Sequence, residues 1–235
     1  MTLDGTNSYV VGSDHIVVVD PGPDDPKHLR ALASAGDVEL ILVTHHHPDH
    51  VDGVAALARL TGAPVRAADP AFCIDAAPLT DGETIDEGGT RIRVLATPGH
   101  TADSVCFVLD DDSPAGSVLT GDTILGRGST IIADPDGALG PYLHSLRALR
   151  ALGAARVLPG HGPSLPEIAA ICDAYLEHRE ERLDEVRDAL GRLGADASVE
   201  SVTDLVYGDV EPSIRFAAEA SMRAQLAYLR GGSSV

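Results

Sequence analysis

The chain is short of positive charge. Its 235 residues carry 17 lysines and arginines against 36 acids, and Lys27 is the single lysine. Nucleic-acid binding depends on neutralising phosphates with basic side chains, so this surface speaks against a DNA or RNA partner. Solubility, or adaptation to salt, accounts for the acidity without invoking a partner. Long apolar runs are missing as well. None approaches the roughly 18 residues that span a bilayer, so no membrane segment is expected. The opening residues "MTLDGTNSYVVG" contain neither a basic n-region nor a signal-like apolar stretch, and no export is expected. Cysteine is scarce: Cys73, Cys106 and Cys172 are widely spaced and odd in number. They form neither a disulfide framework nor a thiolate metal pattern, which fits a reducing cytoplasm. No feature of the sequence sets an oligomeric state.

What is present is a succession of short apolar runs rich in β-branched residues: "SYVVG", "HIVVVD", "ELILVT", "TRIRVLAT", "SVCFVLD", "GSVLTGD" and "ARVLPG". Runs of this length, bounded by Gly, Pro or Asp, predict buried strands. Helical patterns over Lys27–Ala35, Val51–Leu60 and Tyr142–Leu152 lie between several of them, which predicts a layered α/β core. The runs at 8–12 and 15–20 are close enough to form a hairpin, so a mixed sheet is expected. After Gly162 the texture changes. Ser164 and Glu167 have capping-box spacing, and an amphipathic rhythm follows from Ile168 to Leu190. Shorter helical patterns cover Val199–Tyr207 and Ser213–Leu229. The expected division is a layered α/β domain over 1–165 and a small helical domain over 166–235.

The densest chemistry lies in "THHHPDH", Thr44 to His50. It joins a predicted strand to a predicted helix. Side chains alternate along an extended segment, so His45 and His47 point one way and His46 the other. Pro48 favours the turn, after which Asp49 and His50 project from the helix opening. The expected ligands are His45, His47, Asp49 and His50, with His46 as scaffold. Such imidazole–carboxylate clusters suit zinc or another borderline divalent ion. Three more strand ends run into glycine-containing loops bearing a ligand-type side chain: His100 in "ATPGHT", Asp122 in "LTGDT" and His161 in "LPGHGP". Thr44, Thr101, Thr123 and Ser104 are candidates to support these ligands, Thr101 being equally an ordinary turn hydroxyl.

The ordered set His45-x-His47-x-Asp49-His50, His100, Asp122, His161 resembles the metallo-β-lactamase superfamily. That resemblance implies an αββα sandwich with a two-metal site at one sheet edge. His45, His47 and His100 would hold one metal, Asp49, His50 and His161 the other, and Asp122 would bridge them. A bridging hydroxide would be the nucleophile, with Asp49 orienting it and passing a proton to the leaving group. An aspartate at 122 is similar to the glyoxalase II, lactonase and phosphodiesterase branches. Further stretches, "GTNSYVVG", "VVDPGP", "TGDTILGRGST", "SLRALRALGAARVLPGHGP" and "HREERLDEV", resemble the lactamase-like-protein-2 group. Its members carry a winged-helix-like tail and include a mitochondrial endoribonuclease and fungal polyketide thioesterases.

From residue 166 onward the chain has 7 arginines, no lysine and 14 acids, a poor nucleic-acid reader. The leading expectation is therefore a dinuclear zinc hydrolase, with iron or manganese as other options, acting on a small ester or thioester. A metal-dependent endoribonuclease or phosphodiesterase is the alternative, and a mononuclear iron persulfide dioxygenase a third. His178 and Arg179 are candidates to face the site, as is Tyr142 to touch substrate; a solvated helix face and simple packing are the competing readings.

Overall fold

Alternation along one strand supplies residues to two separate cores. The computed structural model describes residues 5–208, 211 and 215–231. In it β1 (Tyr9–Gly12) pairs antiparallel with β2 (His15–Val19), the hairpin expected from the sequence. Ile16 and Val18 face one side of β2, and Val17 and Val19 face the other. A strand buried on both faces must be apolar without interruption, which is why "IVVV" shows no polar alternation. β2 also pairs in parallel with β3 (Asp37–Leu42), which pairs in parallel with the two-residue β4 (Val65–Arg66).

On the Ile16/Val18 side lie α1 (Pro26–Ala33) and, after the short α2 (Pro48–Val51), α3 (Val54–Thr61). Leu29, Leu32, Val54 and Leu57 pack there with Ile41, Val43 and Val65. Asp25 caps α1, its carboxylate accepting from Lys27 N and His28 N, with Pro26 in the first turn. Leu57 is fully buried, and its truncation to alanine would cost about 2–5 kcal/mol through lost transfer energy and the cavity left behind.

On the Val17/Val19 side lies the second sheet, ordered β5 (Thr84–Glu87), β6 (Thr90–Ala96), β7 (Val105–Leu109), β8 (Ser117–Gly121) and β9 (Arg156–Pro159). Its first three pairings are antiparallel and β8–β9 is parallel. Ile92, Val94, Phe107 and Leu119 meet Val17, Val19, Leu40 and Leu42 in a dry layer between the sheets. Helix, sheet and sheet are thus stacked by the residue pattern itself.

The described residues form two compact units. One contains the chain up to Thr97, Asp103–Thr130 and Leu152–Ile168; the other contains Pro98–Ala102, Ile131–Ala151 and the chain from Ala169 onward. The second unit thus includes α4 (Leu139–Arg150), most of α5 (Ile168–Leu193), α6 (Val199–Val206) and α7 (Arg215–Arg230). Val186, Ala189, Val202, Met222 and Leu226 make the core of α5, α6 and α7. Among the described residues no strand follows Leu165, and no helix is long and apolar enough to cross a membrane.

Several boundaries differ from the sequence reading. The expected helix Val51–Leu60 is two helices, because Gly53 N–H donates to Gly22 O at 2.9 Å and leaves the helical ladder. A side chain there would meet Leu29 Cδ2 at 2.9 Å and Gly22 O at 3.0 Å. Ser164 forms no capping box. Its hydroxyl accepts from Arg156 Nη2, Leu165 pairs with Val157, and α5 begins only at Ile168. β4 has two residues and β5 a single buried one, Ile85, too little apolar signal to read. The expected start of the last helix at Ser213 falls outside the described residues.

Candidate metal centre

The parallel strands of the first unit end where the ligand-type side chains begin. Asp20 follows β2 with a left-handed φ of 50°, a strained conformation for a residue other than glycine. Its carboxylate accepts from Thr44 N at 2.8 Å and from Thr44 Oγ1 at 2.7 Å. The Thr44 hydroxyl, having spent its proton on Asp20, must accept at its other contact, His45 Nδ1 at 3.0 Å. His50 Nδ1 lies 2.8 Å from Asp20 Oδ2 and donates to it. One carboxylate therefore fixes two imidazoles with Nδ1–H pointing away and the Nε2 lone pair presented inward, the usual support for a metal-ligating histidine.

His47 sits at the N-cap of α2 with extended backbone, and Pro48 occupies its first turn. That geometry carries Asp49 and His50 round to the His45 side. His161 follows β9 and Asp122 follows β8. His161 Nδ1–H donates to Gly5 O at 2.8 Å, so its Nε2 also faces inward. His161 Nε2 is 3.1 Å from Asp49 Oδ2 and 3.4 Å from Asp122 Oδ2, while His50 Nε2 is 3.5 Å from Asp122 Oδ1. His45 Nε2 is 3.1 Å from His47 Nδ1. With His45 Nδ1–H committed to Thr44, two nitrogen lone pairs this close need a proton or a cation between them.

Two overlapping sets of three donors have the spacing to hold a cation. One atom each from His45, His50 and Asp122 lie within 4.8 Å of one another, as do those of Asp49, His50 and His161. Electrostatics agree. Burial alone disfavours an imidazolium at His50, yet Asp20 and Asp122 carry its pKa up to about 10. Burial likewise opposes a charge on Asp122, but His161 and His50 hold it well below the ordinary carboxylate range. The site is built for positive charge. Gly160 leaves the space: a Cβ there would lie 2.6 Å from Asp122 Oδ1 and 2.8 Å from His50 Cε1.

Six of the seven expected ligands, His45, His47, Asp49, His50, Asp122 and His161, thus come together in the first unit. His100 belongs to the second, where Nδ1 bonds Ile131 O at 2.9 Å and the ring is again fixed with Nε2 as the acceptor nitrogen. His46 bonds Asp103 at 2.8 Å and stacks on Phe72. Thr97 and Thr123 hydroxyls meet at 3.2 Å, and Thr130 Oγ1 donates to Asp122 O at 2.6 Å. Tyr142 is fully buried, packs against Gly99 and has the Arg179 guanidinium 5.3 Å over its ring. The sequence alone assigns no role to Asp20, Asn7, Thr130 or Gly160. A carboxylate at the end of an all-apolar strand, as in "VVVDPG", was the available signal for Asp20.

Residues 1–161 match the family model described as the metallo-beta-lactamase superfamily. The Beta-lactamase-like protein 2 homolog of Caenorhabditis elegans is 30% identical over 247 residues, a match covering 97% of this chain and 79% of that protein. The Atrochrysone carboxyl ACP thioesterase of Aspergillus fumigatus is 31% identical over 82% of this chain, which spans 46% of that protein. A crystal structure of a metallo-beta-lactamase family protein from Thermus thermophilus shares the fold, with a TM-score of 0.78 and 24% identity over 96% of this chain and 88% of that one.

Proposed function

The chain belongs to the metallo-beta-lactamase superfamily of metal-dependent hydrolases, and from that premise we propose that it is a dinuclear enzyme for small esters or thioesters. In this reading His45, His47 and His100 would hold one ion and Asp49, His50 and His161 the other, with Asp122 as a ligand they would share. The observation that carries it is the convergence of Asp49, His50, Asp122 and His161, with both imidazoles of that group fixed through Nδ1. Nitrogen and oxygen donors of this kind favour zinc, with iron or manganese as other occupants. When bound, the ions would lower the pKa of a water between them and polarise the scissile carbonyl.

The chain's own residues do the rest. Asp49 keeps one oxygen toward His161 while Thr6 Oγ1 donates to it at 3.3 Å, which holds the carboxylate at the mouth of the site. There it receives the attacking water's proton and returns it to the departing alcohol or thiol as the acyl C–O or C–S bond breaks. Thr44 and Asp20 keep His45 and His50 in the tautomers the ions require. The net charge of −19 disfavours a polyanion, and the relative named as a thioesterase adds support for a thioester bond in the substrate. The helical tail, read as winged-helix-like, fits this reading better than RNA binding because its acids outnumber its arginines two to one.

Metal analysis should return two zinc ions per chain, and thioester turnover should vanish in His45→Ala and Asp122→Ala. Fewer than one ion per folded chain removes the basis of the proposal. Faster cleavage of a short unstructured RNA at low salt than of any ester or thioester would replace it with the nuclease reading.

A further inference from the structure

The histidines of the site are steadied by unlike partners. His45 and His50 lean on Thr44 and Asp20, buried side chains at strand ends. His161 instead donates to the backbone oxygen of Gly5, an exposed glycine at φ 112° just ahead of β1. What ties that segment to the loop is Asn7. Its backbone N–H donates to Gly160 O at 2.7 Å, and its side-chain Nδ2 donates to Pro159 O at 2.9 Å and Gly162 O at 2.8 Å. Three donors from one residue meet three carbonyls on either side of His161. The Tyr9 hydroxyl adds a bond to Pro159 O at 2.8 Å, and Thr6 Oγ1 reaches Asp49 Oδ2 at 3.3 Å. Residues 5–9 therefore touch His161 and Asp49, and none of these bonds reaches His45 or His47.

We propose that Asn7 is a positioning residue: it clasps the 159–162 loop, sets the orientation of His161, and so tunes the ion held by Asp49, His50 and His161 apart from the other. The inference rests on the dinuclear reading above. The chemistry suits asparagine specifically. Its amide supplies two uncharged donors to carbonyls, whereas an isosteric aspartate would set a carboxylate against them. Loss of a partner that orients a metal ligand commonly lowers metal affinity about 10–100-fold.

Zinc alone, titrated into metal-free protein in competition with a chromophoric chelator, tests this in the parent chain, Asn7→Asp and Asn7→Ala. The parent should take two ions. Asn7→Asp should keep the first and weaken the second about 10–100-fold, with Asn7→Ala between them. Imidazole ¹⁵N spectra of the metal-free proteins should show His161 displaced and His45 unmoved. Unchanged affinities in Asn7→Asp overturn the proposal, and so does equal weakening of both ions, which would mark general damage. A parent chain that takes a single ion refutes the dinuclear reading; the ring spectra then decide the clasp, and an unmoved His161 in Asn7→Asp overturns it.

Discussion

The two compact units differ in where they keep charge. The first carries surface pairs such as Arg91–Asp111 and Arg93–Asp110, but it also turns ionisable groups inward: Asp20, His45, His50 and His161 are all at most 2% exposed, and each is tied to a named partner. In the second, they turn outward. Arg150 pairs with Asp173, Arg187 with Glu180 and Asp184, and Arg215 with Asp204 and Glu219, all on exposed or half-exposed helix faces. Water screens the outward pairs, so each contributes little. Low dielectric magnifies the inward ones, and leaving any member unpartnered is costly. Charge count is therefore a poor guide to what holds this molecule together; depth decides.

Substitutions can break or sharpen that contrast. Asp20→Ala should have the largest effect. It strands Thr44 N, Thr44 Oγ1 and His50 Nδ1 in a buried site, at a cost of about 3–5 kcal/mol in denaturant unfolding. Gly160→Ala comes next, because its methyl would overlap Asp122 and His50; crowding of that kind costs about 1–3 kcal/mol, and zinc content should fall with it. Tyr9→Phe removes the hydroxyl that bonds Pro159 O and faces the Asn7 amide and should lower the unfolding free energy by about 1 kcal/mol. Arg187→Ala, which deletes two exposed pairs at once, should change stability by about 0–1 kcal/mol at low salt and by less at high salt. An Arg187→Ala loss as large as that of Tyr9→Phe, undiminished by salt, would end the contrast.

Much of the layered core was readable because period-2 and period-3.6 patterns are local. The run at 15–20 and the helix from Ile168 needed no knowledge of their partners. The candidate ligands stand out for a different reason: His45 to His50 crowd into one turn, and Asp122 and His161 sit at glycine-marked strand ends. What escaped notice lies in bonds distant in sequence. Asn7 meets residues 159–162, Asp20 meets Thr44 and His50, and nothing within a short window around either residue announces such a partner. The helix break at 52–53 escaped for the same reason, since the acceptor that draws Gly53 N–H out of the ladder is Gly22, 31 positions upstream. Ser164 misled because its local pattern was genuine while Arg156, across the turn, competed for its hydroxyl.

That break has a practical corollary for protein engineers. Because α2 is a turn of four residues and α3 begins afresh after Gly53, the rod that fills the interior shares no hydrogen-bond ladder with the one that bears Asp49 and His50, and they meet through Val51 in the common core. Repacking Val54 or Leu57 to raise thermal tolerance should therefore disturb reactivity less than splicing the two rods into one continuous helix, which would drag both side chains off target.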